Sequence, residues 1–297
     1  MPVAQTKDSV LFIVNPVHER RLGIKLKQLL NKYLDLDRFD YDIIYSVSPE
    51  QIFELIQVKK PDYQIFVAAG GDGTVNSVGK CLIHSENVLG IIPLGSGNGL
   101  ARSLKISLNP RNAIKAINKL NISVIDTGMV NDIPFMHMAG IGYCGAVTQR
   151  YEKLGIRGLF AYIYSLVVIL FRYNPKEYEI RIGKKSEKVT AFLIEAGNTS
   201  QWGYNIHICP EADPADGFLD LCIIKKFPII IFPFMICRLL MKRLNRSRYT
   251  EMIRANKAEV EGIGEMIGHI DGDPTFFNQS MDLKILPGSL KIITGNI

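Results

Sequence analysis

The sequence predicts an α/β domain followed by a mainly β domain. Strand-like and helix-like segments alternate from Val10 to Lys119, which predicts a parallel sheet with helices on both faces. After about Val124 short strand-like runs dominate, which is typical of an antiparallel sandwich. Two glycine-rich turns in the first part each follow an apolar strand and lead into a helical pattern.

The first domain has a regular order of elements. Helix 49–58 has the clearest start, because Ser48 can cap it and Pro49 suits the first helical position. The predicted strands are Val10–Val14, Asp40–Val47, 64–69 and 88–93, and the predicted helices are Leu22–Leu34, Pro49–Val58, 74–83, 99–104 and Pro110–Lys119.

The second domain is predicted from its short strands, which three helical segments interrupt. The strands are Ser123–Val130, Ile133–Ile141, Tyr178–Ile182, Lys188–Ala196, Leu219–Ile224, Lys257–Glu261, Met266–Asp271, Met281–Leu286 and Leu290–Thr294. The helices are Ala146–Tyr151, 157–171 and 229–243. The domain boundaries that we predict are 1–125 and 126–287, with 288–297 free to rejoin the first domain.

Composition excludes several classes of protein. The 297 residues are 47% hydrophobic, enough for two ordinary cores, and the net charge of +6 is modest. We find no basic patch interleaved with aromatic residues and therefore expect no nucleic-acid partner. The five scattered cysteines lack Cys-x-x-Cys spacing, which favours a reducing, cytoplasmic compartment over a disulfide framework or a zinc site.

The two glycine turns, at Gly70–Asn76 and Gly95–Asn98, predict a phosphate site. Glycine lets the backbone approach an anion, and the N–H groups at a helix N-terminus attract it. Asp72 is unexpected among such donors, because its carboxylate would repel a phosphate. It is explained if a cation bridges the two groups or if the carboxylate handles a proton.

These turns also carry a family resemblance. Gly70-Gly-Asp-Gly-Thr74, followed by Gly95-Ser-Gly-Asn-Gly-Leu-Ala-Arg102, resembles the diacylglycerol kinase catalytic-domain family, which includes bacterial soluble lipid kinases and sphingosine kinases. Asn15-Pro16, Asp213–Asp220 and Ile270–Asp273 resemble its other motifs. The resemblance implies a Rossmann-like first domain, similar to NAD kinases and phosphofructokinases, and a β-sandwich second domain.

The resemblance also implies which residues bind ATP. They are Asn15, Ser46, Gly70, Gly71, Asp72, Gly73, Thr74, Val75, Asn76, Ser77, Gly95, Ser96, Gly97, Asn98 and Asp273. The chain departs from the family at Gly99, where many bacterial relatives have Asp, at Ser77, where Glu is common, and at Asp273, where Glu is usual. These departures leave the lipid acceptor open.

The segment His269-Ile-Asp271-Gly-Asp273 is the candidate catalytic motif. If it ends a strand, its three titratable side chains share one face, although Asp-Gly-Asp-Pro is also good turn chemistry. The resemblance implies that Asp271 is the general base that deprotonates a lipid hydroxyl. Asp72 is the second catalytic candidate.

Asp213 and Asp216 lie in a loop before a strand and form the candidate metal site. Two carboxylates, a carbonyl and waters suit Mg²⁺, but two Asx turns explain the pattern equally well. The resemblance implies a structural magnesium held by Asp213, Asp216 and the carbonyl of Phe218.

Two apolar segments bear on membrane contact. Leu159–Phe171 is predicted to be a buried core helix, whereas Phe227–Leu240 precedes a basic cluster and could equally lie at a membrane interface. Both are shorter than the roughly 17–25 apolar residues that a spanning helix needs. We therefore expect peripheral association with a membrane surface.

The residues and the resemblance together predict an ATP- and Mg²⁺-dependent lipid kinase acting on diacylglycerol or a related neutral lipid. The alternatives are a sphingoid-base kinase, an NAD kinase, and a catalytically weak lipid- or nucleotide-binding protein. Whether the chain forms a homodimer stays open.

Overall fold

A computed structural model describes residues 7–23, 25–46, 48–156 and 158–295. The chain divides into two compact units: unit 1 is Met1–Ile125 with Gly288–Ile297, and unit 2 is Asp126–Pro287. Val47 of the predicted second strand and the last two residues of segment 288–297 lie outside the described residues.

Among its described residues, unit 1 has four complete strands and six helices. The strands are β1 (Asp8–Val14), β2 (Phe39–Tyr45), β3 (Ile65–Gly70) and β4 (Val88–Pro93). The helices are α1 (Pro16–Leu22), α2 (Leu26–Tyr33), α3 (Pro49–Lys59), α4 (Asp72–Leu82), α5 (Gly99–Ser103) and α6 (Pro110–Lys119).

Unit 2 is built mainly of strands. They are β5 (Ile122–Val130), which begins in unit 1, then β6 (Ile133–Phe135), β7 (Met138–Gly142), β8 (Lys176–Ile182), β9 (Lys185–Gly197), β10 (Gln201–Gly203), β11 (Ile206–His207), β12 (Leu219–Lys225), β13 (Thr250–Ala255), β14 (Lys257–Gly262), β15 (Met266–Ile270), β16 (Asp273–Phe277) and β17 (Ser280–Ile293), which ends in unit 1. Its helices are α7 (Tyr143–Leu154), α8 (Leu159–Leu170) and α9 (Phe232–Leu240).

The sheet of unit 1 is parallel, as predicted. Its order is β17, β4, β3, β1, β2, and the end of β17 pairs with β4 through Lys291 and Ile292. Every residue of β3 and β4 is buried, as expected for parallel strands covered on both faces. The two glycine turns follow these strands and so lie at their carboxyl ends, where open α/β sheets bind ligands.

The strands of unit 2 pair antiparallel. β7 lies between β9 and β15, and β16 completes a hairpin with β15. One apolar cluster fills the space between strands, and a second lies beneath α7, α8 and α9. The registers matter for the site, because they place single residues of β9, β7 and β15 side by side.

Several predicted elements differ from the observed ones. The predicted helix 22–34 begins only at Leu26, and α1, which was not predicted, precedes it. Helix α1 begins at Pro16 because Asn15 caps it through the N–H of Val17. The predicted strand 133–141 is interrupted between β6 and β7. Helix α8 is not a buried core helix: only Ser165 is buried within it, and Phe160 is 90% exposed.

Candidate functional site

The first glycine turn opens the N-terminus of α4. Gly71 is the N-cap residue in an extended conformation, and no described side chain caps the helix. The first described hydrogen bond of this turn runs from the N–H of Val75 to the carbonyl of Gly71. Uncapped N–H groups at the start of an 11-residue helix favour an anion there.

The second glycine turn is closed by Asn98. This residue has the left-handed φ of 52°, its Oδ1 accepts the N–H of Gly95 at 3.1 Å, and its Nδ2 donates to the carbonyl of Gly95 at 2.8 Å. The Nε of Arg102 donates to the carbonyl of Gly97 at 2.8 Å. Hydrogen bonds within this segment therefore close the turn.

Asp72 joins the two turns. Its Oδ2 accepts the N–H of Asn98 at 2.8 Å and its Oδ1 accepts the N–H of Gly99 at 2.7 Å. The turns touch directly, since a Cβ built on Gly95 would lie 2.6 Å from the Cα of Gly71. The carboxylate of Asp72, which was unexpected in a phosphate site, thus accepts hydrogen bonds from the second turn.

The other predicted nucleotide-binding residues of unit 1 differ in burial and in their hydrogen bonds. Thr74, Val75 and Asn76 are buried in α4, the hydroxyl of Ser77 donates to the carbonyl of Gly73 at 2.9 Å, and Ser96 is half-buried. Asn15 lies next to β3, because its N–H donates to the carbonyl of Ala69 at 3.0 Å. Ser46 directly follows β2, and its hydroxyl is within hydrogen-bond distance of Ser48 and Gln51.

His18 is a neighbour of the first turn that the sequence did not single out. Its Nε2 would lie 3.0 Å from a Cβ built on Gly71. The available signal was the Asn15-Pro16 helix start, which places position 18 in the first turn of α1.

In unit 2, Asp271 lies in a tight hairpin turn and not on a strand. Ile270 pairs with Asp273, so Asp271 and Gly272 are the two loop residues, with φ values of 52° and 87°. Positive φ at both positions is typical of a type I′ turn, for which Asp-Gly is a favoured sequence. The prediction that His269, Asp271 and Asp273 share one strand face is therefore wrong. His269 is buried on β15, Asp271 is buried in the turn, and Asp273 is exposed at the start of β16.

The carboxylate of Asp271 is held by backbone donors. Its Oδ2 accepts the N–H of Met136 at 3.1 Å, and its Oδ1 accepts the N–H groups of His137 and Met138 at 2.9 and 3.1 Å. These donors span the interruption between β6 and β7, so the carboxylate binds backbone N–H groups at that break. The orientation of Asp271 is fixed by the fold of unit 2.

The predicted metal loop contains the two Asx turns. Asp213 Oδ1 accepts the N–H of Ala215 and Asp216 Oδ1 accepts the N–H of Phe218, each at 3.0 Å. Asp216 Oδ2 also lies 3.3 Å from the guanidinium of Arg254. The oxygen ligands that Mg²⁺ prefers are present, but an arginine now supplies the positive charge beside Asp216.

A further cluster in unit 2 was missed from the sequence. Cys144, Glu195 and His269 are all buried, and one potential ligand atom from each lies within 4.8 Å of the others. The available signal was a single acidic residue inside the apolar run of β9.

Comparison with known proteins supports this description of the chain. Residues 9–130 match the diacylglycerol kinase catalytic domain, and residues 138–294 match the YegS C-terminal NAD kinase beta sandwich-like domain. Fold and glycine turns thus define a kinase of two domains, one α/β and one β-sandwich. The chain belongs to the diacylglycerol kinase catalytic-domain family, in the branch that carries the YegS-type C-terminal domain.

Individual relatives agree with this assignment. A protein named probable lipid kinase YegS from Escherichia coli O1:K1 is 30% identical over 244 residues, 79% of this chain and 79% of that protein. A probable lipid kinase YegS-like protein from Chromohalobacter salexigens is 28% identical over 230 residues, 75% and 74% of the two chains.

Solved structures share the fold. A diacylglycerol kinase from Bacillus anthracis strain Sterne has a TM-score of 0.76 at 22% identity and covers 98% of both chains. An NAD kinase from Archaeoglobus fulgidus in complex with ATP has a TM-score of 0.51 at 12% identity and covers 97% of this chain and 93% of that one. At these identities the likeness shows the fold alone. The predicted family, fold class and kinase assignment are confirmed.

Proposed function

We propose that this protein transfers the γ-phosphoryl group of ATP to the hydroxyl group of a lipid. The observation that carries the proposal is the uncapped N-terminus of α4 at the end of β3, in a chain of the diacylglycerol kinase family. Diacylglycerol or a related neutral lipid is the acceptor that we propose, and a sphingoid base is the alternative.

The glycine turns would bind the ATP phosphates. The N–H groups of Asp72, Gly73 and Thr74 begin α4, where the helix dipole favours negative charge. Asp72 would act by fixing the second turn, because both of its oxygens accept N–H groups from that turn. This role explains a carboxylate in a phosphate site without requiring it to touch the phosphate.

Asp271 would accept the proton of the lipid hydroxyl as that hydroxyl attacks phosphorus. The three N–H donors hold the carboxylate in one orientation, and such positioning contributes to catalysis by removing the need to reorganise. Asp273, which is exposed beside this turn, stays a proposed nucleotide contact.

Magnesium would enter with ATP, and the metal supplies charge neutralisation on the phosphoryl oxygens. We also propose a structural magnesium held by Asp213, Asp216 and the carbonyl of Phe218. The donor set fits, but the cation must replace the charge that Arg254 provides at Asp216. Binding there should therefore be weak while Arg254 is present.

Unit 2 would contact the membrane that contains the substrate. No helix of the described residues is long and apolar enough to span a bilayer. The two segments that cover the second apolar cluster expose large apolar side chains, namely Phe160, Tyr164 and Phe171 near α8 and Ile230, Phe234 and Leu240 near α9. Exposed basic residues follow α9 at Lys242, Arg243, Arg246 and Arg248, which suits an anionic lipid surface. We propose peripheral association of a cytoplasmic protein.

The direct test is phosphoryl transfer from labelled ATP to a panel of lipids in mixed micelles. Label in diacylglycerol supports the proposed acceptor, whereas label in a sphingoid base supports the alternative. Label in NAD, or in no acceptor, would favour an NAD kinase or a catalytically weak binding protein and would overturn the proposal.

A further inference from the structure

The buried Cys144, Glu195 and His269 cluster has no role in the function proposed so far. Glu195 is on β9 and His269 is on β15, and Gly140 of β7 pairs with both of them. A Cβ on Gly140 would overlap Glu195 Oε2. Because glycine has no side chain, the side chains of Glu195 and His269 can approach each other over this position. Glycine inside a strand weakens the strand, and it often marks a position where another group must approach closely.

The contacts of His269 specify which ring nitrogen carries the proton. Its Nε2 lies 2.9 Å from Glu195 Oε1, and its Nδ1 accepts the N–H of Gly272 at 3.4 Å. A backbone N–H can only donate, so Nδ1 presents its lone pair. We therefore assign the proton of the neutral ring to Nε2, the nitrogen that lies at ion-pair distance from Glu195.

This arrangement argues against a metal ion in the cluster. A metal on Nε2 would move the ring proton to Nδ1, where it would face the N–H of Gly272. A metal would also require the thiolate of Cys144, but burial and the nearby Glu195 raise the pKa of that thiol well above its ordinary value. The cluster is better described as a glutamate–histidine pair beside a thiol.

A buried glutamate is costly unless it has a partner. Glu195 is fully buried and neither of its oxygens has a well-aligned hydrogen bond among the described residues, but His269 Nε2 lies at ion-pair distance, 2.9 Å, from Oε1. Burial lowers the pKa of His269, but Glu195 together with Asp271 and Asp273 more than offsets this, and the pKa is raised. Glu195 thus holds the ring in place.

The histidine in turn contacts the catalytic hairpin. Gly272, which donates to its Nδ1, directly follows Asp271 in the two-residue turn. The same turn is held on its other side by the N–H of Asp271, which donates to the carbonyl of Met138 at 2.7 Å. His269 therefore anchors a backbone that has positive φ at both loop positions.

We propose that Glu195 and His269, which meet across Gly140, form a relay that positions Asp271 for proton transfer. Glu195 orients His269, and His269 holds the turn through Gly272. The proposal rests on the proposed function, because it assumes that Asp271 is the base. His269 is a positioning residue and does not itself touch the substrate.

A matched pair of substitutions separates the two contacts of His269. In His269→Asn the side-chain oxygen can replace Nδ1 and accept from Gly272, whereas in His269→Gln the amide can replace Nε2 and reach only Glu195. We expect His269→Gln to lose roughly 10- to 100-fold in kcat, the size of effect that a small misplacement can cause, with the KM for ATP unchanged. His269→Asn, made together with Glu195→Gln to avoid an unpaired carboxylate, should lose less.

Two other variants test the relay without altering His269. Gly140→Ala places a methyl group against Glu195 and should lower kcat in the same way as His269→Gln. His207→Gln is the control for a histidine change in unit 2, since His207 contacts Ser200 and Asn205 and lies outside the relay. It should keep the wild-type kcat.

Three results would overturn the relay. In the first, His269→Gln keeps the wild-type kcat while Asp271→Asn is inactive. In the second, the Asn and Gln variants lose kcat equally. In the third, the purified protein contains one equivalent of zinc that Glu195→Gln removes. If instead Asp271→Asn is fully active, Asp271 is not the general base and the proposed function is wrong on that point. This result differs from the three above, so failure of the relay and failure of the proposed function can be distinguished.

Discussion

At the scale of single residues, the two acidic candidates have different surroundings. Asp72 binds two backbone donors of the neighbouring turn, and Asp271 binds three donors from one strand interruption. Both are held in place by the fold. Among the described residues, Asp271 is also linked through Gly272 to the buried pair Glu195 and His269. We propose a bracing role for Asp72 because both of its oxygens bind the second turn, and we propose Asp271 as the base because the family resemblance implies that role.

Gly73 provides a test of the phosphate site. A Cβ there meets no described atom within 4 Å, so Gly73→Val should change stability by no more than about 1 kcal/mol. The valine would occupy the space proposed for phosphate, and losing one charged hydrogen bond should weaken ATP binding by about tenfold or more, measured by calorimetry.

Gly95→Ala, in the second turn, is a contrasting variant that tests packing between the two turns. Its Cβ would lie 2.6 Å from Gly71, so overpacking should lower stability by about 1–3 kcal/mol in thermal or urea unfolding. Unchanged ATP affinity in Gly73→Val would contradict the phosphate assignment.

At the scale of elements, most strands and helices could be predicted because their signals are local. Apolar periodicity and caps mark β1, α3 and β3, and each was expected close to its observed bounds. The start of α1 was missed although Asn15 and Pro16 form a normal helix start. The side of α8 that faces solvent could not be predicted, because an apolar run is the same in a core and on an exposed face.

Part of the site was also predictable, because its sequence signals are local. Glycine turns and the Asp-Gly hairpin are read from a few adjacent residues. The Glu195 and His269 pair depends on the register of β9, β7 and β15, which joins residues more than 50 positions apart and leaves no local pattern. The contact between Arg254 and Asp216 also joins residues that are distant in the sequence, so no local pattern indicates it.

The loop before β12 provides a test of the magnesium proposal. Asp216→Ala should abolish any rise in melting temperature with Mg²⁺, because it removes a proposed ligand. Arg254→Met should increase that rise, since the competing charge is gone. A site filled at 100 times its Kd adds about 2.7 kcal/mol of stability, which differential scanning fluorimetry detects.

An exposed aspartate of unit 1, Asp37, serves as the control, and Asp37→Ala should keep the wild-type response to Mg²⁺. If Asp216→Ala responds to Mg²⁺ as the wild type does, the metal is bound elsewhere.

At the scale of the whole molecule, the exposed apolar segments of unit 2 should control access to lipid. We expect binding to vesicles that contain anionic lipid, measured by co-sedimentation, and we expect salt to weaken it by screening the basic residues after α9. Ile230→Asp and Phe160→Asp should each reduce binding, because these side chains are 85% and 90% exposed.

Phe53→Asp is the control, since Phe53 is exposed on α3 of unit 1 and outside the proposed surface. Equal loss of binding in all three variants, or binding that does not respond to salt, would count against the surface.

The central claim is that Asp271 is the base of an ATP-dependent lipid kinase. The most direct measurement is the initial rate of label transfer from ATP to diacylglycerol by the wild type, Asp271→Asn and Asp72→Asn, with folding checked by circular dichroism and ATP affinity by calorimetry. A general base contributes about 10²–10⁴-fold to rate, so Asp271→Asn should lose at least about 10²-fold in kcat and keep its ATP affinity. Near-wild-type transfer by Asp271→Asn, with Asp72→Asn inactive, would contradict the claim and make Asp72 the base.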